Sequence, residues 1–432
     1  MAMGPAKDTR ATFQHEIVCL DDLVEPDDRY RRLDQLVDWS FIRTAAAPYY
    51  SEQGRPSVDP IVLVKLMLVG ALEGEGSMRE VLRVSALRLD LRRFLGYGLG
   101  ERLPVHATVS LNQTRRFVDA RLFEQLFSRS VALCREHGLL DGTHLSIDGF
   151  HTEANAALAS LRGSLGPVPE PEPSGPHATP GEGSGAPSSP AQLELAPPRK
   201  GPAPRRRASN ATSRSVSDPD ARLRHKPGQR PHLQHRGQVA VDPKHRCVVS
   251  CLGESAGGHE GDAIAPLLDR GRFMAPGLGS VGADKGFAAE RVLADLERRR
   301  VAAFIPPQPN MLPKDGVARS EGQRLALEAR GRCKSPEGIW AHAHRMADAE
   351  GVISEAKCQG TLARARCRGT ALFHVQVLID FAAINCKRLV RHAGVQSGLA
   401  AGPAAQRRAP ACDRGPTGAP ADCVWSFEVC LN

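Results

Sequence analysis

HLSIDGFHTEANAALASL, residues 144–161, holds an alternating apolar run that ends on Asp148 and Gly149 before the chain turns polar and alanine-rich. The alternation predicts a short strand over residues 144–148, with a carboxylate at its end. In open α/β sheets, sites gather at the carboxyl ends of strands, so Asp148 is a candidate before any chemistry is invoked. A plain turn is the alternative, because Asp before Gly is a common turn pair.

A second stretch, SVGADKG at residues 280–286, repeats the pattern and puts Asp284 at the end of a strand over 280–284. A third, MADAEGVISEAK at residues 346–357, lies in a long helix expected over 345–359 and carries Glu350. Between and after these, strands are expected at 238–242 and 246–252, joined as a hairpin around Asp242, Pro243 and Lys244. A helix at 260–268, a helix at 288–299 and a strand at 301–305 complete the order. The class is therefore mixed α/β, a mixed sheet flanked by helices.

Two Asp and a Glu suit phosphoryl transfer, in which two hard cations about 4 Å apart activate the nucleophile and stabilise the leaving oxygen. Magnesium prefers an all-oxygen ligand set. Such carboxylates must gather within about 4–6 Å of a common point, and without a cation they repel one another. Asp348 and Glu355, on the same expected helix, remain open as alternative third carboxylates.

Residues 30–138 read as helical. Asp59 is placed to cap a helix with Pro60 at its first position, Ser77 and Glu80 have capping-box spacing, and Asp119 can cap a helix ending at Gly138. Arg79, Arg83, Arg88, Arg92 and Arg93 then give one basic helical stretch, which suits phosphate contact and equally a solvated face. Short helices around His106 to Arg116, with Arg115 and Arg116 near the end, could form a helix-turn-helix. The expected organisation is a helical region (1–138), the first strand of the α/β domain (139–162), a disordered Pro/Gly/Ser-rich insertion (163–208), the rest of the α/β domain (209–392) and a disordered tail (393–432).

Across its 432 residues the chain carries a net charge of +9, which favours a polyanionic partner, and its 5% aromatic content argues against a base-stacking platform for single strands. Duplex DNA is the better fit. The eleven cysteines are scattered without paired zinc-ligand spacing, so free thiols are expected. Neither a signal peptide nor a membrane span is visible, and a soluble, cytoplasmic protein is expected.

Taken together, these segments resemble those of bacterial insertion-sequence DDE transposases. The stretch after Asp148, SVSDPDARLRHKPG (215–228), QVAVDPKHRCVV (238–249), VGADKGF (281–287) and the run 345–391, ending in Asn-x-Lys-Arg-Leu, are each similar to a family segment. GRPSVDPIVLVKLMLVGALEGEGSMREVLR (54–83) and RRFLGY (92–97) resemble the N-terminal domain found with them. Phe150 stands where Thr is usual, and Phe287 where Tyr is common.

The resemblance implies a ribonuclease-H-like catalytic domain behind an all-helical DNA-binding region. It also implies cleavage and joining at terminal inverted repeats with two magnesium ions, manganese serving as a substitute. Asp148, Asp284 and Glu350 would be the metal ligands, and Lys357, in a Glu-x6-Lys element, a DNA phosphate contact. Double-stranded DNA, both element ends and target, would be the partner of a synaptic homodimer at the bacterial nucleoid. Family members carry Tyr and Arg seven and four residues before the glutamate; here those positions are Ala343 and Met346, and Arg345 is one place out of register. One residue turns an α-helix by about 100°, so Arg345 would point elsewhere unless the backbone compensates. A catalytically decayed DNA-binding protein and a nuclease without strand transfer are the alternative functions.

Overall fold

A computed structural model describes residues 18–50, 57–115, 121–163, 210, 213–225, 230–272 and 275–396. The first helices are α1 (Arg29–Leu36), α2 (Ser40–Ala46), α3 (Pro60–Glu73), α4 (Met78–Leu87), α5 (Leu89–Leu95), α6 (His106–Arg115) and α7 (Arg121–Glu136). Asp59 caps α3 as expected, its carboxylate accepting from the Ile61 amide. Only half of the expected capping box forms at α4. Ser77 accepts from the Glu80 amide, but the Ser77 amide donates to Glu75 while Glu80 pairs with Arg83. α3 is buried continuously from Leu63 to Leu72, as befits a helix surrounded by others.

The sheet region contains β1 (His144–Glu153), β2 (Leu161–Gly163), β3 (Ser213–Ser215), β4 (Arg222–Arg224), β5 (His232–Asp242), β6 (Cys247–Ser255), α8 (Ile264–Gly271), β7 (Ser280–Gly282), α9 (Glu290–Arg298) and β8 (Ala302–Phe304). It ends with α10 (Glu321–Lys334), α11 (Pro336–His344), α12 (Gly351–Cys358) and α13 (Thr370–Gln396). The six-stranded sheet runs β4-β5-β1-β7-β8, with β6 also on β5. β1 is antiparallel to β5 and parallel to β7, which is parallel to β8, so the sheet is mixed as expected. β2 and β3 form a separate antiparallel pair.

Alternation along the strands sends side chains to two cores. Leu145, Ile147 and Ala240 face a layer of α8, α9 and α10, whereas Phe150, Val239 and Val241 face α7, α12 and α13. The second core continues without a break into α1 to α5. The described residues up to Ala393 accordingly form one compact unit by contacts. Gly74 shows how closely the helical layer meets α12. It closes α3 at φ 70°, and a Cβ there would stand 2.6 Å from the Gln359 carbonyl oxygen.

Three expected boundaries differ. β1 runs on to Glu153, because its antiparallel partner β5 continues pairing after β7 has stopped at Gly282. Helices α10 and α11, absent from the sequence expectation, stand between β8 and the glutamate-bearing segment. That segment starts as a π-turn over Arg345–Glu350 before becoming α-helical. Asp119, Arg116, the expected insertion beyond Gly163 up to Ala208, and the tail beyond Gln396 lie outside the described residues. Among the described residues the cysteines are free, and no helix is long and apolar enough to cross a membrane.

Candidate active site

Asp148 sits inside β1, not at its end. Its position relative to Asp284 follows from register: Ser146 pairs with Gly282, where β7 stops, and Asp148 and Asp284 each follow two residues later, close enough for the Asp284 charge to act on Asp148. Two residues is also one strand repeat, which keeps Ser146, Asp148 and Phe150 on the face covered by α12. Asp284 then opens a short 3-10 turn, its carboxylate accepting from the Lys285 amide. Asp148 accepts from the Gly149 amide at 2.8 Å.

Glu350 comes from the π-turn, and this turn answers the register problem of Arg345. A π-turn closes i to i+5, so residues five apart share a face as residues four apart nearly do in an α-helix. Arg345 and Glu350 are the two ends of the turn, and the Arg345 Nη1 lies 3.1 Å from Glu350 Oε1 and 3.1 Å from Asp148 Oδ2. The extra residue is absorbed by backbone geometry, and Met346 is left exposed.

Asp148, Asp284, Glu350 and Lys357 line one open cavity of about 660 Å³. Arg224, Arg230, His232, Gln234, His151 and Glu260 line it too; none was singled out in the sequence, although Arg224 lies within SVSDPDARLRHKPG. Phe150, in the place of the usual Thr, holds its ring 5.8 Å from the Lys357 ammonium and packs on Phe381 at 5.8 Å. The ring lies over Gly237, its cross-strand partner, where a Cβ would come within 2.1 Å of it. The other two carboxylates on the glutamate segment serve elsewhere: Asp348 is buried with Arg246 and His344, and Glu355 pairs with Arg388 on α13.

Burial pushes the Asp148 carboxyl up to about 6, and the charges of Glu350 and Asp284 add to the rise against the opposing pull of Arg345 and the Gly149 amide. A buried carboxylate facing two others calls for a cation, and its oxygen donors suit a hard divalent one. In the present arrangement the three carboxylates line the cavity without closing on one point, and among the described residues no group of three His, Cys, Asp or Glu is gathered to hold an ion. Arg345 supplies the positive charge that Asp148 and Glu350 share.

The basic stretch of the helical layer is largely structural. Arg88 pairs with Glu73 and Asp90, Arg92 binds backbone carbonyls of Ala86, Gly98 and Glu101, and Arg93 pairs with Asp21 and Asp34. Arg79 and Arg83 are exposed, the latter paired with Glu80. α6, ending at Arg115, precedes α7 as a helix-turn-helix would require, but the turn between them lies outside the described residues.

His144, at the start of β1, makes a further electrostatic commitment. Its Nδ1 lies 2.8 Å from Ser280 Oγ, its Nε2 is buried without a partner, and Trp340 packs edge-on against the ring. Burial depresses its pKa to about 4, with His344 adding to the effect and Asp348 opposing it. Between about 4 and the usual 6.5 the unfolded chain binds the extra proton, so stability is present above 6.5 and lost as pH falls. Relative to His144→Gln, the wild-type chain should lose about 3 kcal/mol of unfolding free energy between pH 7 and pH 4. Urea unfolding at both values checks this; parallel curves would show that His144 does not titrate in that window.

Comparison with known proteins gives two family matches. Residues 18–115 match the Transposase domain (DUF772), and residues 133–386 match the Transposase DDE domain. No curated protein sequence matches the chain. Among solved structures, the piggyBac transposase synaptic complex with hairpin DNA is similar at 11% identity and a TM-score of 0.36, covering 86% of this chain and 75% of that one.

Proposed function

The chain belongs to the DDE transposase family, and from that membership we propose that it binds the terminal inverted repeats of an insertion sequence and catalyses DNA cleavage and strand transfer there. The family generally uses divalent metal ions. The single observation that carries the reading is the shared cavity of Asp148, Asp284, Glu350 and Lys357, with Arg224 and Arg230 beside them. In this reading the catalytic region is ribonuclease-H-like, and Asp148, Asp284 and Glu350 are the ligands of two magnesium ions, for which manganese substitutes. Such ions, when bound, polarise the phosphodiester and lower the pKa of the attacking hydroxyl or water.

The protein's own side chains supply the rest. Lys357, held against Phe150, offers a point charge to a DNA phosphate, while Arg224 and Arg230 offer flat guanidinium forks to its neighbours. Arg79 and Arg83 on α4, Arg115 at the end of α6 and the following Arg116 would add phosphate contacts. Two element ends brought together would need two copies of the chain, and a homodimer is the simplest such assembly.

The test is cleavage of labelled duplex DNA carrying the element ends, with and without magnesium, by the wild-type chain and Glu350→Gln. Magnesium-dependent cutting by the wild type, reduced about 100-fold or more in the variant with binding retained, is expected. Equal cutting by both removes Glu350 from the ligand set. Binding without cutting by either protein would leave a DNA-binding descendant of a transposase.

A further inference from the structure

Arg345 sits where a cation belongs. Its side chain is nearly buried and contacts Asp148 and Glu350 through the same nitrogen, while its Nε is buried with no hydrogen-bond partner. A guanidinium engaged for its hydrogen-bonding shape would match its fork to a carboxylate. Here one nitrogen serves two carboxylates and another donor is left over, so the contact is governed by charge. The backbone points the same way. In an α-helix residues five apart diverge by roughly 140°, and the rare π-turn over Arg345–Glu350 is what brings both side chains to one place.

We propose that Arg345 is the resident counter-ion of this cavity: in the metal-free protein it holds Asp148 and Glu350 together, and an incoming divalent cation displaces it from between them. The proposal rests on Asp148 and Glu350 being metal ligands. Two positive charges sharing these carboxylates repel each other, so the arginine lowers metal affinity in exchange for keeping the empty ligands gathered. Arg345 is in this sense a positioning residue, acting through the carboxylates it holds.

Manganese titration of the full chain without DNA, by calorimetry and by the electron paramagnetic resonance of free Mn2+, tests this independently of cleavage. Arg345→Gln should bind Mn2+ about ten-fold more tightly than the wild type, equivalent to about 1.4 kcal/mol. Its metal-free melting temperature should fall, and Mn2+ should restore it. Arg345→Lys, which keeps the charge, should stay near wild type in both. Arg345→Met provides a second neutral variant should the glutamine protein fail to fold. Unchanged or weaker Mn2+ binding in the neutral variants, with binding abolished by Asp148→Asn, overturns the counter-ion role and leaves the metal site standing. Mn2+ binding indifferent to Asp148→Asn overturns the metal-ligand assignment on which the proposal rests.

Discussion

Asp148→Asn should abolish DNA cleavage and, in metal-free buffer at pH 7, make the protein more stable than the wild type. The loss of activity follows from the proposed role. A ligand shared with the reacting phosphate's metal ions is worth several kcal/mol of transition-state stabilisation, or about a thousand-fold in rate. The gain in stability follows from the cost of burying this carboxylate. Its folded pKa of about 6 lies above the ordinary 3.8, so its favourable contribution is complete below 3.8 and is lost as pH rises through 6. At pH 7 the ionised group therefore costs the fold about 2 kcal/mol, after discounting for its remaining exposure.

Asparagine can still accept from the Gly149 amide, and Arg345 keeps Glu350 as a partner. Urea unfolding in EDTA should show the variant ahead at pH 7 and the advantage gone near pH 4. A variant that still cuts DNA would remove Asp148 from the catalytic set. One that is destabilised at pH 7 would mean that the pair with Arg345 outweighs the burial cost.

The mixed sheet, its hairpin and the three acidic segments were legible because strand alternation and Asp-Gly or Asp-Lys-Gly punctuation are local signals. The meeting of Asp148 with Asp284 was less so. It depends on parallel register between strands that are distant in sequence, and that register places Asp148 inside a strand instead of at its tip. The π-turn was illegible for a sharper reason. A helical period of 3.6 is assumed whenever spacing is read, so a single extra residue looks like lost register when the backbone has absorbed it. For Arg88, Arg92 and Arg93 the spacing fits a phosphate-contacting face, while partners such as Asp21 and Glu73 belong to other segments and were invisible to local pattern. Arg224 is brought to the cavity by the pairing of β4 with the start of β5, and Arg230 lines it from just ahead of β5.

Asn385→Ala is expected to destabilise the protein by about 4 kcal/mol, because it leaves a sheet edge open inside the core. Asn385 is the first residue of the Asn-x-Lys-Arg-Leu run on α13 and is fully buried. Its side-chain carbonyl accepts from the Val248 amide at 2.8 Å, and its NH2 donates to the Val248 carbonyl at 2.9 Å and to Ser130 Oγ at 3.2 Å. Among the described residues β6 is hydrogen-bonded as a strand only to β5, and the register between them shifts beside Val248. The asparagine amide therefore does what a neighbouring strand's peptide would do, offering one acceptor and one donor to an edge that water cannot reach. Truncation removes three hydrogen bonds and orphans both Val248 groups, each at roughly 1–3 kcal/mol. Asn385→Asp separates the two halves of the interaction, since it can still accept from the Val248 amide but cannot donate to the carbonyl. It should fall between wild type and alanine only if the amide acceptance outweighs the burial of a new charge. Denaturant unfolding of all three proteins decides the matter: a loss below about 1 kcal/mol in the alanine variant would mean that the edge of β6 is satisfied without Asn385.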